Sequence, residues 1–503
     1  MTRFRYKTIA EHLIKQLSSG LYAVDEKLPS IRQLSLELNA SKGTVIRCYE
    51  YLEDNNWVEA REKSGFFPGR KAQEHQQKPA TSGQKPSQEI LEAIRPKRLD
   101  NKSLGLEIVR SAGKTDQIPL GTANPCVSFP GVKRLYQILK KEVGYEEQSL
   151  SNGFISHYQT PPGVEKLRQQ LSLLLTRREL NCDPDEIIIT NGAQSAVSLA
   201  LQATTREGDI VLIESPCFYG ILQCLEAFER KVVEIPQAES GGPDLNLLTA
   251  ALEQWPVRAI IVQPTLNNPT GKSMGLAGRQ QLIRLANQHD VAVIEDDIFA
   301  DLDYRGDAPS PLKALDTENR VLYCSSVSKT ITPKLRLGWL IAGRWQERCQ
   351  HLQFVSKMGL PAHTQNALGS WLEAGYMQRH LRLIRRRYLQ RQKLFRQILN
   401  EYWPDSVHYE PAEGGFLAWI RLPEGCDAMA LYQQAQAAKI NITPGPLFGS
   451  DQSNKHYIRI NFALYQDQPE YRQAMIHLGQ LIKASSPGCQ PLPSALGETS
   501  AGK

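Results

Sequence analysis

The sequence lacks several features that would point to particular classes of protein. Its nine cysteines are scattered and include no pair at C-x-x-C spacing, which disfavours a disulfide framework or a zinc site. No apolar run approaches the ~20 residues that a membrane-spanning helix needs. Charged residues interrupt the N-terminal segment, so it has no signal-peptide core. We therefore expect a soluble, cytoplasmic protein with no metal centre.

A strong excess of charge of either sign is missing as well. The formal net charge of +6 permits a nucleic-acid partner but does not by itself indicate one. What the chain does have is length, because 503 residues are too many for one typical domain and favour two or three.

The first 68 residues show the apolar periodicity of three short helices followed by a hairpin. Ser30 and Gln33, three residues apart, form a capping-box pattern at the start of the second helix. Ser41 can cap the third helix, and two strand-like segments within 57–68 flank a basic tip. This pattern predicts a winged helix-turn-helix over residues 1–68, although a generic three-helix bundle would have equally amphipathic helices.

This segment resembles the winged-helix domain of the GntR-type bacterial regulators. The resemblance runs through KLPSIRQL at 27–34, SKGTV at 41–45, YLE at 51–53 and the wing at 63–65. It implies that five side chains contact double-stranded DNA, namely Arg32, Lys42, Thr44, Arg47 and Lys63. Arg32 and Lys42 suit phosphates, whereas Arg47 could reach a guanine edge.

Two segments lack a pattern that could build a core. Residues 69–115 begin with a polar stretch rich in Gln, Lys, Pro and Ser and are predicted to be a flexible linker. A weak helical pattern from Ile90 onward is expected to dock on the large domain. Residues 484–503 are predicted to be a disordered tail.

Between residues 116 and 483, short strands alternate with helical segments. Seven apolar, β-branched runs are the strand candidates: 187–189, 210–213, 232–235, 259–262, 291–294, 321–324 and 337–341. The alternation predicts a large α/β domain with a mostly parallel sheet covered on both faces. The pattern at 414–420 predicts a strand of a smaller α+β C-terminal subdomain.

Five of these strands are followed by side chains of distinct chemistry at the end where open α/β sheets bind ligands. They are, in order, small residues that open a helix (193–195), an aromatic pair (218–219), an amide (268), three acids (295–297) and a lysine (329). Each is weak alone. The aromatic residues could be core, the Asn-Pro a simple turn, and the acids could bind a metal, cap a helix or balance a cationic ring nitrogen.

Together these parts match the needs of pyridoxal 5'-phosphate (PLP), which takes phosphate donors, a stacking ring, an amide, an acid and a Schiff-base lysine. Residues from about 118 to 480 resemble the class I aminotransferases, a PLP fold of type I. The resemblance implies that Lys329 forms the internal aldimine, that Asp297 pairs with the pyridine nitrogen and that Asn268 bonds the ring oxygen. It also implies a set of phosphate-binding residues, namely Ala193, Gln194, Ser326, Ser328 and Arg336.

The same resemblance gives roles to four further residues. Phe218 would stack on the ring, with Tyr219 as the fallback. Tyr158 would reach the phosphate of the neighbouring subunit, and Arg459 would hold an α-carboxylate bidentately. At Phe299 this sequence departs from relatives that carry a tyrosine near the ring oxygen, which puts catalytic turnover more in question than cofactor attachment.

A GntR-like head joined to an aminotransferase-like domain is the layout of the MocR regulators. The resemblance implies a PLP-dependent, head-to-tail homodimeric transcriptional regulator that senses an amino compound by external aldimine formation. Two alternatives stay open. One is a catalytically active class I aminotransferase that carries a DNA-binding head, and the other is an inactive fold that serves as a dimerisation platform.

Overall fold

The computed structural model describes residues 5–18, 27–37, 40–61, 64–72, 95–99, 106–107, 110, 116–151, 157–464 and 469–485. The chain divides into two compact units, Met1–Leu91 and Glu92–Lys503. Lys63, most of the predicted linker and nearly all of the predicted tail lie outside the described residues. Among the described helices, none is both long enough and apolar enough to cross a membrane.

The N-terminal unit has the predicted winged helix-turn-helix. Its elements are α1 (Arg5–Ser18), α2 (Ile31–Glu37), α3 (Lys42–Asp54), β1 (Val58–Arg61) and β2 (Gly65–Pro68). The two strands form an antiparallel hairpin in which Val58 pairs with Pro68. The predicted capping box is confirmed, since the Ser30 N–H donates to Gln33 Oε1 (3.0 Å) and the Gln33 N–H to Ser30 Oγ (3.3 Å).

The core of this unit joins the third helix to the wing. Val45, Tyr49 and Leu52 of α3 are buried, as their helical spacing predicts. The Tyr49 ring stacks on Phe66 of β2 with a centroid separation of 4.0 Å. Its hydroxyl donates to the Pro29 carbonyl at 2.5 Å, so one side chain holds α3, the wing and the start of α2 together.

The large unit is built on a seven-stranded sheet that contains all seven predicted strands. The order is β4-β10-β9-β8-β7-β5-β6, and β10 is antiparallel to both of its neighbours while the other pairs are parallel. The strands are β4 (Ile187–Thr190), β5 (Ile210–Ser215), β6 (Lys231–Pro236), β7 (Val257–Val262), β8 (Ala292–Asp296), β9 (Val321–Ser326) and β10 (Gly338–Ile341).

Helices cover both faces of this sheet, and alternate strand residues enter two different hydrophobic clusters. Ile188, Ile294 and Leu322 belong to one cluster, whereas Ile187 and Tyr323 belong to the other. The helices of the unit are α4 (Pro130–Ser151), α5 (Glu165–Thr176), α6 (Ala193–Thr204), α7 (Tyr219–Ala227), α8 (Leu245–Gln254), α9 (Leu276–Gln288), α10 (Gln346–Lys357), α11 (Ala362–Glu373), α12 (Tyr376–Tyr402), α13 (Ala428–Ala437) and α14 (Pro469–Ala484).

The predicted smaller subdomain is also present. Its four-stranded sheet has the order β11-β12-β15-β14, and a parallel pair is formed by β3 and β13. The bounds are β3 (Ile118–Pro119), β11 (His408–Tyr409), β12 (Leu417–Arg421), β13 (Ile440–Asn441), β14 (Thr443–Pro444) and β15 (Tyr457–Asn461).

The predicted linker is packed at both ends where it is described. Ala72 is fully buried in the core of the N-terminal unit. Lys97 forms an antiparallel bridge to Val232 at the edge of the large sheet, with reciprocal backbone hydrogen bonds of 2.9 Å. The prediction of a flexible linker is therefore wrong at these two points, and residues 73–94 lie outside the described residues.

Candidate functional site

Lys329 lies in the turn that follows β9, as its sequence position predicts. Its Nζ donates to the Ala123 carbonyl at 2.7 Å and lies 5.9 Å from the centroid of the Phe299 ring. Burial lowers the pKa of Lys329 to about 8, with further lowering by the charges of Arg459 and Arg336 and an opposing effect of Asp296. A lysine with this pKa is a usable nucleophile near neutral pH.

Two neighbouring acids at the end of β8 have different surroundings. Asp296 accepts a hydrogen bond from Gln263 Nε2 at 2.9 Å, and its Oδ1 is buried without a hydrogen-bond partner in the described part of the chain. Burial, with a contribution from the charge of Asp297, raises the pKa of Asp296 to about 7, while the charge of Lys329 opposes the rise. Asp296 is thus the acid whose charge acts on the lysine.

The contacts of Asp297 do not favour the ring-nitrogen role that the resemblance implies for it. Its carboxylate forms an ion pair with Arg178 and accepts a hydrogen bond from the Tyr323 hydroxyl at 2.9 Å. Successive strand residues point to opposite faces of a sheet, so Asp297 faces the cluster that contains Tyr323. Asp296 faces the side covered by α6.

Arg459 and Asn268 are brought together, as expected for neighbours in one site. Arg459 Nη1 donates to Asn268 Oδ1 at 2.9 Å, and Nη2 donates to the Gly121 carbonyl at 2.7 Å. Arg459 is 1% exposed, its Nε has no hydrogen-bond partner and no ion pair to it occurs among the described residues. A buried cation without a counter-charge favours an anionic ligand.

The predicted phosphate-binding residues Ala193 and Gln194 lie at the junction of β4 and α6. Gly192 precedes Ala193, the first residue of α6, with φ +81°, and a Cβ on Gly192 would lie 3.0 Å from Arg336 Nη2. Arg336 Nη2 donates to the Asn191 carbonyl at 2.8 Å. The N–H groups of the first turn of α6 have no acceptor within the helix, and together with the cation they suit a phosphate. The side-chain amide of Gln194 turns away and donates to Gly220 O at 2.7 Å, which leaves its backbone N–H for this role.

Ser326 and Ser328 form hydrogen bonds that stabilise the turn containing Lys329. Ser326 Oγ lies 2.7 Å from Ser328 Oγ and 2.9 Å from the Leu337 carbonyl oxygen. The Ser328 N–H donates to Ser326 Oγ at 2.9 Å. Both serines are buried, so their first role is to fix the backbone before Lys329.

The aromatic residues divide between two sides of the site. Phe218 is half-buried and precedes α7, whereas the Tyr219 ring lies 6.0 Å from the Arg459 guanidinium. The Phe299 ring is buried and offers no hydroxyl near Lys329. Tyr158 is 75% exposed, so most of its side chain is not covered by its own chain.

The predicted DNA contacts lie at the start of α3 and on α2. Arg32, Lys42 and Arg47 are exposed and Thr44 is half-buried. Thr44 helps to cap α3, since its N–H donates to Ser41 Oγ at 3.2 Å and its Oγ1 lies 2.8 Å from the same oxygen. Lys63 lies outside the described residues.

Sequence reasoning missed the buried polar residues that support the site. Gln263 donates to Asp296 and is itself held by Glu214. Arg178 forms an ion pair with Asp297, and the Tyr323 hydroxyl donates a hydrogen bond to it. For Gln263 and Glu214 the available signal was a polar residue directly after a predicted apolar strand, and Arg178 and Tyr323 had no such signal. That signal cannot say which carboxylate such a residue will meet.

Two family models match the chain: "Bacterial regulatory proteins, gntR family" over residues 5–67 and "Aminotransferase class I and II" over residues 116–474. The HTH-type transcriptional regulator YjiR of Escherichia coli (strain K12) is 34% identical over 479 residues, which are 95% of this chain and 98% of that protein. The chain belongs to the MocR subgroup of the GntR-type transcriptional regulators. This confirms the predicted family and fold class.

The large unit of this MocR-type chain is similar to enzymes as well. Aromatic-amino-acid aminotransferase 1 of Thermococcus litoralis is 29% identical over 402 residues, covering 77% of this chain and 94% of the enzyme. The structure of Pyrococcus horikoshii kynurenine aminotransferase in complex with PMP superposes with a TM-score of 0.68 at 27% identity, covering 76% of this chain and 95% of that one. PLP dependence is thus general to the fold that this chain shares.

Proposed function

We propose that this MocR-type regulator binds double-stranded DNA through its N-terminal unit and senses an amino acid through PLP held in its large unit. The observation that carries this proposal is Arg459. It is a fully buried cation with no ion pair among the described residues, hydrogen-bonded to Asn268. Such a group needs an anion, and an α-carboxylate fits its planar geometry.

The residues present fit the cofactor. Both acids have a buried Oδ1 without a hydrogen-bond partner among the described residues, but Asp297 already pairs with Arg178. Asp296 has no such ion pair there, which suits a protonated ring nitrogen, so we assign that role to Asp296 in place of Asp297. Gly192, which has no side chain, lets the Arg336 guanidinium lie close to the start of α6, where a cation and helix N–H groups together suit a phosphate. The other holding residues would be Lys329, Asn268, Phe218, Ser326, Ser328 and the N–H groups of Ala193 and Gln194.

When bound, PLP supplies a carbonyl carbon that reacts reversibly with amines. Lys329 can bond to it because the lowered pKa of about 8 leaves part of its amine neutral. An amino acid whose carboxylate is held by Arg459 would place its own amine beside Lys329 and compete with it. Release of Lys329 can alter DNA binding only if the effector binds one arrangement of the protein better than another.

We propose a head-to-tail homodimer as the working assembly. The exposed side chain of Tyr158 supports this proposal because it is free to contact the phosphate site of a second copy. Sedimentation of the purified chain measures the number of subunits in the assembly. A monomer at the concentrations that bind DNA would contradict it.

The function is tested by titrating amino compounds into the PLP-loaded protein while following the absorbance of the bound cofactor. We expect an α-amino acid to change the spectrum at lower concentration than its decarboxylated amine, because only the acid pairs with Arg459. A DNA fragment selected from random sequence with the same protein should then bind differently with and without that amino acid. If no amino compound changes the spectrum, the sensing role is wrong.

The second candidate is a working aminotransferase with a DNA-binding head. The similarity to the Thermococcus enzyme favours it, whereas Phe299 lacks a hydroxyl that could handle protons near Lys329. Incubation with an amino donor and a keto acid distinguishes the two, since sustained formation of the new keto acid at ordinary enzyme rates, ~1 s⁻¹ or faster, would favour the enzyme.

A further inference from the structure

Gln263 connects two functional groups of the candidate site. It is the first residue after β7 and is 3% exposed. Its Nε2 donates to Asp296 Oδ2 at 2.9 Å, and its Oε1 accepts the Asn268 N–H at 2.5 Å. Both ends of one buried amide therefore contact residues of the candidate site.

The connection continues to the arginine. Asn268 Oδ1 accepts from Arg459 Nη1 at 2.9 Å, so hydrogen bonds join Asp296, Gln263, Asn268 and Arg459 in sequence. The Gln263 N–H donates to Glu214 Oε1 at 2.6 Å, which fixes the backbone from which the amide extends. The chain of contacts spans the space between the acid that faces Lys329 and the cation that lacks a counter-ion.

We propose that Gln263 is a positioning residue that couples the carboxylate of Asp296 to the guanidinium of Arg459. This rests on the proposed function, because it takes Asp296 as the partner of the ring nitrogen. A carboxylate bound at Arg459 would weaken the bond from Arg459 to Asn268. The Asn268–Gln263 pair would then shift, and with it the donation that Asp296 receives.

The groups around Asp296 define what loss of Gln263 would do. Glu214 on β5, Cys324 on β9 and the adjacent Asp297 disfavour its negative charge or share its burial. Lys329, the Ile298 N–H and Gln263 favour the charge. Removal of one donor from a buried carboxylate raises its pKa. Cofactor binding that requires ionised Asp296 would then begin at a higher pH.

The experiment compares wild-type protein with Gln263→Met, which keeps the length and the backbone N–H but removes both side-chain hydrogen bonds. PLP affinity of the cofactor-free protein is measured by absorbance across pH 6 to 9. We expect the acid limb of the profile to move up by about one pH unit in Gln263→Met. Propionate, which has a carboxylate and no amine, should change the cofactor spectrum in wild type, and this change should be lost in the variant.

Gln353→Met is the matched control. Gln353 is also buried. It lies on α10 and donates to the Ile189 carbonyl of β4 at 2.6 Å, so it contacts none of Asp296, Asn268 and Arg459. Its acid limb should match wild type. If both variants shift alike, or if Gln263→Met keeps the wild-type limb and the propionate response, the coupling role is wrong. If wild type itself binds no PLP, the proposed function fails instead.

Thermal melting of each variant precedes the titration. If Gln263→Met does not fold, Gln263→Glu decides, because it keeps an oxygen for the Asn268 N–H and places a second acid beside Asp296. Two adjoining acids raise one pKa strongly, so its acid limb should move further than one unit, and an unchanged limb would overturn the inference.

Discussion

The two units handle charge in opposite ways. In the N-terminal unit, Arg32, Lys42 and Arg47 are exposed on α2 and α3, where a polyanion can reach them. In the large unit, Arg459, Asp296 and Lys329 are covered by protein, and burial shifts the pKa of each. An exposed cation such as Lys42 can attract a phosphate from many positions, because the attraction depends mainly on charge. A buried group acts through the few atoms that it meets, so its role depends on geometry.

The role of the buried charged groups in the large unit is tested most severely by Lys329→Ala. Removal of the amine should abolish retention of PLP through dialysis, since no covalent bond to the protein can form. Absorbance of the dialysed protein measures this. The control is Lys334→Ala, an exposed lysine five residues further on, which should retain the cofactor; equal retention by both variants would contradict the role of Lys329.

The second prediction separates the two neighbouring acids. Asp296→Asn should weaken PLP binding about 100-fold, as expected when a buried ion pair worth about 3 kcal/mol is lost, with little change in melting temperature. Asp297→Asn should instead destabilise the fold by about 3–5 kcal/mol, because Arg178 is left buried without its partner. PLP titration and chemical denaturation measure the two effects. If Asp297→Asn shows the larger loss of PLP affinity, Asp297 and not Asp296 is the partner of the ring nitrogen.

These two acids also show where sequence reasoning stops. The seven strands, the wing and the position of Lys329 follow from apolar spacing and from motifs, and the structure contains them. The choice between Asp296 and Asp297 depends on which side of the sheet each side chain faces at the end of β8. That is fixed by Arg178 and Tyr323, which are 119 and 26 residues away from Asp297 along the chain, and local patterns do not report such distant partners.

The role of the exposed basic residues in the N-terminal unit is tested by two substitutions on α3. Arg47→Ala should weaken binding to the selected DNA fragment by about 1–3 kcal/mol and relax its sequence preference, as for loss of a guanine contact. Lys42→Ala should weaken binding to all sequences and reduce the salt dependence by about one unit of slope. Binding measured over a range of salt distinguishes them. Both variants should keep wild-type cofactor absorbance, and unchanged DNA affinity would remove the residue from the interface.

A further prediction concerns the pH dependence of PLP attachment. Because burial lowers the pKa of Lys329 to about 8, the neutral fraction of its amine rises about tenfold between pH 7 and 9 and then levels off. The rate of PLP attachment to the cofactor-free protein should follow this curve. A rate that keeps rising to pH 10 would indicate an ordinary exposed lysine, and the contrast between the two units would then be weaker than we infer.

The central claim is that effector binding in the large unit changes DNA binding by the N-terminal unit. It is tested most directly by measuring DNA affinity in the presence of the amino acid that changes the cofactor spectrum. We predict that this amino acid shifts the affinity of the PLP-loaded wild type for the selected fragment by about fivefold or more, a usual allosteric coupling. It should leave the affinity of Lys329→Ala unchanged. Equal responses of the two proteins, or no response from wild type, would contradict a regulator that works through Lys329.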